Sequence, residues 1–279
     1  MREKPFIRRL VPLDRWFLIR EPVSAPLKIM LGLVPIAAIL LLWALVTAGE
    51  SPEDRVISPV ILPSPIEVVR SFKSLWFEAE LSRSVVASGV RVIGGFLVAL
   101  AVAFPLGVLM GSFSKVQAMF APLAVFGSYL PIPTLVPLTM SLFGTDELQK
   151  IMFLAIAFTV FLLPMFVNAI SAVDDVYLQT AQTLGATKWQ LVRRVLLGVS
   201  LSKIYDAMRL CFGVGWTYII LAEMVAADRG LGHIIIVSQR RGPKEHIYLV
   251  LVVIVLIAYA TDQLWVRVGK RLFPYRENA

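Results

Sequence analysis

The chain has 279 residues, 58% of them hydrophobic and 16% charged, with a mean hydropathy of +0.77, whereas a soluble domain carries about 45–50% apolar and about 25% charged residues. That much apolar surface exceeds what a soluble core absorbs, so an ordinary water-soluble domain is excluded and the bilayer is the solvent. A single cysteine, Cys211, excludes an intrachain disulfide framework and a thiolate metal cluster, and the net charge of +8 sits where membrane topology places basic residues rather than in a nucleic-acid patch.

Residues 1–28 mix Arg2, Lys4, Arg8, Arg9, Arg15, Arg20 and Lys28 with Phe6, Ile7, Leu10, Trp16, Phe17, Leu18 and Ile19. That pattern predicts a cytoplasmic amphipathic segment on an anionic membrane surface. No short apolar run with a small-residue cleavage site follows, so the first span, 29–48, is expected to remain in the mature protein. Residues 49–83 are expected outside the membrane. Pro52, Pro59, Pro63 and Pro65 forbid a continuous helix there, and from Glu67 to Arg83 the residues Val68, Val69, Phe72, Leu75 and Trp76 recur at helical spacing, as in a helix lying along the surface. A transmembrane core then occupies 84–270, with apolar windows near 85–110, 116–143, 151–172, 204–227 and 247–268, each long enough to cross about 30 Å of hydrocarbon. Residues 271–279 form a cytoplasmic tail. The fold class is thus an all-α integral membrane protein of about six transmembrane helices.

Inside the third window, Tyr129, Leu130, Pro131, Ile132 and Pro133 should break the helix near mid-membrane. Broken backbone at that depth is tolerated only where protein buries it or water reaches it. Tyr129, Pro131 and Pro133 are therefore candidates to line a pathway, the alternative being a proline kink between packed helices. With the N-terminus inside, the cytoplasmic segments hold sixteen Lys and Arg and the opposite side nine, the other two falling at span ends, so both termini are expected in the cytoplasm.

The segment from Asp174 to Ser202, between the fourth and fifth windows, is too long for a tight turn. Leu178, Ala181 and Leu184 share one face of a first short helix, Gly185 supplies a stop, and Thr187 caps a second helix carrying Leu191, Val195 and Leu196. On residues alone this elbow could simply rest on lipid, with Lys188, Arg193 and Arg194 facing headgroups. Its spacing resembles the EAA loop of bacterial binding-protein-dependent ABC importer permeases: Gln179-Thr180-Ala181, three residues, Gly185, nine residues, then Val195 and Leu197. It departs from that pattern with Gln179 in place of Glu and Gly198 in place of Pro. The segments ILPSPIEVVRSF (61–72), RVIGGFLVALAVAFPLGVLMG (91–111), YLPIPTLVPL (129–138), LGATKWQLVRRVLL (184–197) and LAEMVAADRGLG (221–232) resemble the nitrate, sulfonate and taurine branch of those permeases, in the family's order.

The resemblance implies a type I ABC importer permease fold in a bacterial inner membrane, a second permease copy, and cytoplasmic ABC ATPase subunits docked on the elbow. It also implies a periplasmic or lipid-anchored binding protein that delivers a small anion such as nitrate, bicarbonate, sulfonate or taurine. Gln179, Thr180, Ala181, Leu184, Gly185, Ala186, Arg193 and Arg194 would carry coupling. ATP and Mg are expected on the partner, because the chain has no GxxxxGK[ST] loop. The chain is expected to be no enzyme: it lacks HExxH and any Ser/His/Asp grouping, and His233 and His246 are expected to be ordinary interfacial side chains. A secondary transporter or scaffold uncoupled from ATP is the competing class, disfavoured by the lack of paired inverted repeats.

Glu223, near the outer end of its window, is either a gate or packing bridge, or else a snorkelling interfacial carboxylate or a structural hydrogen-bonding group. Arg91 and Arg209 could bind an anion in transit, but lying near helix ends they are expected to snorkel. Asp146 and Glu147, in a short outer loop, either contact a binding protein or solvate the turn, and the second is expected. Gly94, Gly95, Gly107 and Gly111 predict close helix packing.

Overall fold

The computed structural model describes residues 23–49, 51 and 54–275, so most of the basic N-terminal segment and the end of the tail lie outside the described residues. The chain divides into two units, 1–65 and 66–279. In the first, α1 (Ala25–Val46) is one apolar helix. The indole N–H of Trp43 in its last turn donates to the Pro63 carbonyl at 2.9 Å, which folds the proline-rich stretch back on the helix end.

The second unit begins with two short helices, α2 (Pro65–Arg70) and α3 (Phe72–Phe77). The single surface helix expected to reach Arg83 is thus divided and shorter. Hydroxyls account for the division: Ser71 Oγ donates to Val68 O and Ser74 Oγ to Ser71 O, and such back-bonding bends a helix. Glu80, at φ +49°, then turns the chain into α4 (Leu81–Ser112).

Next come α5 (Ser114–Ser128) and α6 (Leu135–Phe143), joined through a 3-10 turn at Ile132–Thr134 and bent by 89°. The break lies where Pro131 and Pro133 remove backbone donors. Helix α7 (Glu147–Ser171) is followed by α8 (Asp175–Thr183), α9 (Lys188–Gln190), a π-helical turn (Leu191–Leu196) and α10 (Leu197–Ala226). The elbow is therefore shorter than 174–202, because its second half runs directly into α10 and forms one rod, Lys188–Val225. Helices α11 (Leu231–Arg241) and α12 (Lys244–Leu272) complete the unit. Among the described residues five helices are long and apolar enough to cross a membrane, or six with the bent pair as one span.

Lipid tails are as apolar as leucine, so spans associate by close fit rather than by expulsion from water. The α4–α7 contact is the largest in the bundle and rests on glycines. A Cβ on Gly95 would lie 2.5 Å from Leu154 Cβ, on Gly107 2.8 Å from Phe166 Cβ, and on Gly111 2.7 Å from Ile170 Cβ. The same intervals separate the glycines and their partners, so the two helices run parallel in constant register. Around Phe96 of α4, edge-on rings converge from Phe158 (5.4 Å), Phe212 (5.2 Å) and Trp265 (6.1 Å), uniting α4, α7, α10 and α12.

Overpacking a tight site costs about 1–3 kcal/mol. Gly107→Ala and Gly111→Ala should therefore lower the temperature at which buried Cys211 becomes reactive to a fluorogenic thiol reagent. Gly94→Ala, whose Cβ would stand 3.6 Å from Ile151, should not. Equal behaviour of all three variants would refute the glycine-based contact.

Candidate functional site

The first candidate is the elbow. Asp174 accepts from Val176 N–H at 2.9 Å and caps α8. At the other end, Gly185 at φ +79° donates its N–H to Gln182 O at 2.9 Å, and Ala186 donates to Ala181 O at 3.0 Å. This pair of bonds is a Schellman stop, which favours glycine at the left-handed position. Two residues on, Thr187 Oγ1 accepts from Gln190 N–H and Gln190 Oε1 accepts from Thr187 N–H, a complete capping box. Helix stop and restart are thus separately fastened, and the elbow is a rigid turn.

The elbow brings together the residues expected to carry coupling. Gln179, Thr180, Arg193 and Arg194 are exposed, while Ala181 and Ala186 are half-buried in the turn. Leu184, expected on the face shared by Leu178 and Ala181, is instead 84% exposed. The Schellman turn rotates it off the helix face, leaving Leu184 and Trp189 as exposed apolar side chains flanking the glycine.

The second candidate lies at the opposite end of the rod, around Glu223, which is fully buried. Ser88 Oγ stands 2.7 and 2.9 Å from its two oxygens and donates to the carboxylate, and Gly232 N–H donates to Oε2 at 2.9 Å. Arg91 Nη1 reaches Oε1 at 2.7 Å and the Arg229 carbonyl at 2.7 Å. On its other edge the guanidinium grips Glu147 as a fork, Nε to Oε2 at 2.6 Å and Nη2 to Oε1 at 2.5 Å. Ser88 also accepts from Leu231 N–H at 3.0 Å. A Cβ on Gly230 or Gly232 would collide with Glu223, so the loop between α10 and α11 can close on the carboxylate only with glycine at both positions.

Two expectations are corrected here. Arg91 does not snorkel: it is 3% exposed, because two carboxylates and a carbonyl replace its water. Glu147 does more than solvate a turn; its side chain is 63% exposed yet supplies half of a bidentate pair. Arg209 likewise pairs with Asp262 of α12 at 2.6 and 2.9 Å. Lys150 is buried and caps the carbonyls of Thr145 and Asp146.

Tyr129, Pro131 and Pro133 lie exposed at the α5–α6 bend, and none of them is among the hydrogen-bond partners of Glu223. Of the histidines, His246 pairs with Ser74 at 2.8 Å. Sequence reasoning missed Ser88 and Asp262. For Asp262 the signal was present as an opposite charge to Arg209 within another apolar window; Ser88 carried none. Among the described residues no group of three or more His, Cys, Asp or Glu side chains could hold a metal ion.

Residues 103–271, more than half the chain, match the family described as "Binding-protein-dependent transport system inner membrane component". The chain belongs to this family.

The permease is 28% identical over 237 residues to a probable ABC transporter permease protein of Brucella abortus, covering 85% of this chain and 92% of that protein. It is 28% identical to the taurine transport system permease protein of Escherichia coli K12, over 98% and 96% of the two chains. It is 24% identical to a nitrate import permease protein of Synechocystis, over 85% and 86%. Its fold is that of a chain in the inward-facing MetNI methionine ABC transporter, at a TM-score of 0.63 and 22% identity, covering 72% of this chain and 98% of the other. The protein is thus an ABC importer permease, multi-pass in the inner membrane, with the type I importer fold.

Removing one partner of a buried ion pair costs about 3–5 kcal/mol, because the other charge is stranded. Arg91→Met should therefore expose Cys211 to thiol reagent at a much lower temperature than wild type, and Arg91→Met with Glu223→Gln should recover part of the loss. A single variant as stable as wild type would show that the cluster does not hold these helices.

Proposed function

We propose that the permease passes a small anion of the nitrate, bicarbonate, sulfonate or taurine class, delivered by a periplasmic or lipid-anchored binding protein and driven by separate ATPase subunits. The chain itself would be no enzyme, with ATP and Mg held by those subunits. The substrate class rests on what the relatives named for taurine, sulfonate and nitrate carry. Both termini would lie in the cytoplasm, as the excess of basic residues on that side favours, and two copies would enclose the pathway, with Tyr129, Pro131 and Pro133 beside it.

The observation that carries the reading is the elbow: a turn fastened at both ends that presents Leu184, Gly185 and Trp189 to the surrounding solvent. Gln179, Thr180, Ala181, Ala186, Arg193 and Arg194 surround those positions and would complete the ATPase contact. From Lys188 the rod continues to Glu223, roughly 50 Å at about 1.5 Å per residue. A push on the elbow is therefore carried by a single helix to a carboxylate that grips α4 and the α10–α11 loop, with α7 joined through Arg91 and Glu147. Elbow and outer end would move as one body, which is what alternating access demands of a coupling element.

The test is purification of the full chain in mild detergent, with partners identified by mass spectrometry and ATP hydrolysis measured. A P-loop ATPase should co-purify with wild type. Leu184→Asp, a change on an exposed side chain, should reduce that association at least tenfold while leaving Cys211 protected. Gly185→Ala, which holds a Cβ in the left-handed region at about 1–2 kcal/mol, should weaken it less. If no ATPase is recovered, or Leu184→Asp retains it fully, the elbow is not the docking element.

A further inference from the structure

The segment α2–α3 carries two different apolar faces. Val68 and Leu75 are buried, and α3 packs against α4 and α12. Ile66, Val69, Phe72, Trp76 and Phe77 are all exposed; the first four recur at three- and four-residue intervals and Phe77 lies next to Trp76, with the Phe72 and Trp76 rings 5.6 Å apart. The break at Ser71 does not separate them, because Ser71 N–H bonds Glu67 O and Leu75 N–H bonds Ser71 O, both at 3.0 Å. Five large apolar side chains left uncovered on one face need something to cover them.

Position supplies it. Ser74 is hydrogen-bonded to His246, the third residue of α12, and Glu78 and Ala79 lead into the first residues of α4. Both α4 and α12 are spanning helices, so α2–α3 is held level with the ends of two spans, where hydrocarbon gives way to headgroups. Aromatic side chains concentrate at that depth. Arg70 and Lys73, both exposed, border the apolar row and suit lipid phosphates. A two-fold contact between copies through the same face would instead bring these cations together with no carboxylate on the face to offset them.

We propose that α2–α3 is a lipid-interface helix: Ile66, Val69, Phe72, Trp76 and Phe77 sink into the boundary between headgroups and acyl chains, and Arg70 and Lys73 bind lipid phosphates. The segment ties the start of α4 to the membrane plane, independently of what the permease transports or what drives it.

The test is site-directed spin labelling of the full chain in nanodiscs of phosphatidylcholine and phosphatidylglycerol. With Cys211→Ser as background, labels are placed at Phe77→Cys and, as the exposed control on the polar side, Glu78→Cys. The label at 77 should collide more with oxygen than with a water-soluble nickel chelate, at a depth of roughly 5–10 Å below the phosphates, and the label at 78 should show the reverse. In parallel, Trp76→Phe should remove a large part of the tryptophan fluorescence quenched by brominated lipid. Nickel access at 77 equal to that at 78, shielding of 77 from both reagents, or spin–spin broadening between copies would each overturn the proposal.

Discussion

The buried guanidinium of Arg91 is the constraint around which one end of the bundle is arranged. Desolvating an arginine is costly, and partners must replace every hydration bond it loses. Here they come from four stretches of chain: Glu223 on α10, Glu147 at the start of α7, the Arg229 carbonyl in the next loop, and, through the shared carboxylate, Ser88 on α4. Two carboxylates face one guanidinium, but Glu147 keeps contact with water and Glu223 receives a hydroxyl and a backbone N–H as well. The excess negative charge is thereby dispersed. Such a cluster contributes more to which helices meet, and in what register, than to net stability.

The other contacts of the bundle are consistent with that assignment. The glycines of α4 keep it parallel and in close register with α7, which sets Glu147 beside Arg91. The rings around Phe96 bring α10 and α12 to the same two helices. The glycines at 230 and 232 are needed for a different reason, since a side chain at 230 would occupy the space of the Glu223 carboxylate and one at 232 would run into the Ile220 carbonyl and the Glu223 Cβ. Close packing in the spans and polar closure at their end are two solutions to one problem, the lack of a hydrophobic drive between helices in lipid.

Much of this was legible in the sequence, and the parts that were not share a cause. Windows of apolar residues located the spans, and Pro131 with Pro133 located the break, because span length and missing donors are local properties. Gly185 and Thr187 announced the elbow for the same reason: stop and cap signals act within a few residues. The partner of Arg91 was not legible, since Glu147 lies more than fifty positions away in sequence and a lone arginine near a span end reads as snorkelling; Asp262 is as distant from Arg209, and only its opposite charge within another apolar window marked it. The exposure of Leu184 escaped because helical periodicity was carried one residue past the point where the Schellman turn ends it.

The elbow's two departures from the pattern it resembles can now be read physically. Gly198 stands where that pattern has proline, one residue beyond the start of α10, and nothing lies within 4 Å of its would-be Cβ. Just before it, the π-helical turn widens the helix, with Leu197 N–H bonded to Val192 O, five residues back. A proline would loosen the ladder at this place by removing a donor; here the π turn already interrupts the regular ladder, and glycine adds backbone freedom beside it. The junction between elbow and rod therefore departs from regular α geometry with or without proline, while the helix stays continuous through it. The exchange of Glu for Gln179 removes a charge from an exposed position while keeping its length and its capacity to hydrogen-bond. Of the two departures, it alone changes what a docking partner would meet, a surface where Leu184 and Trp189 are the exposed apolar side chains.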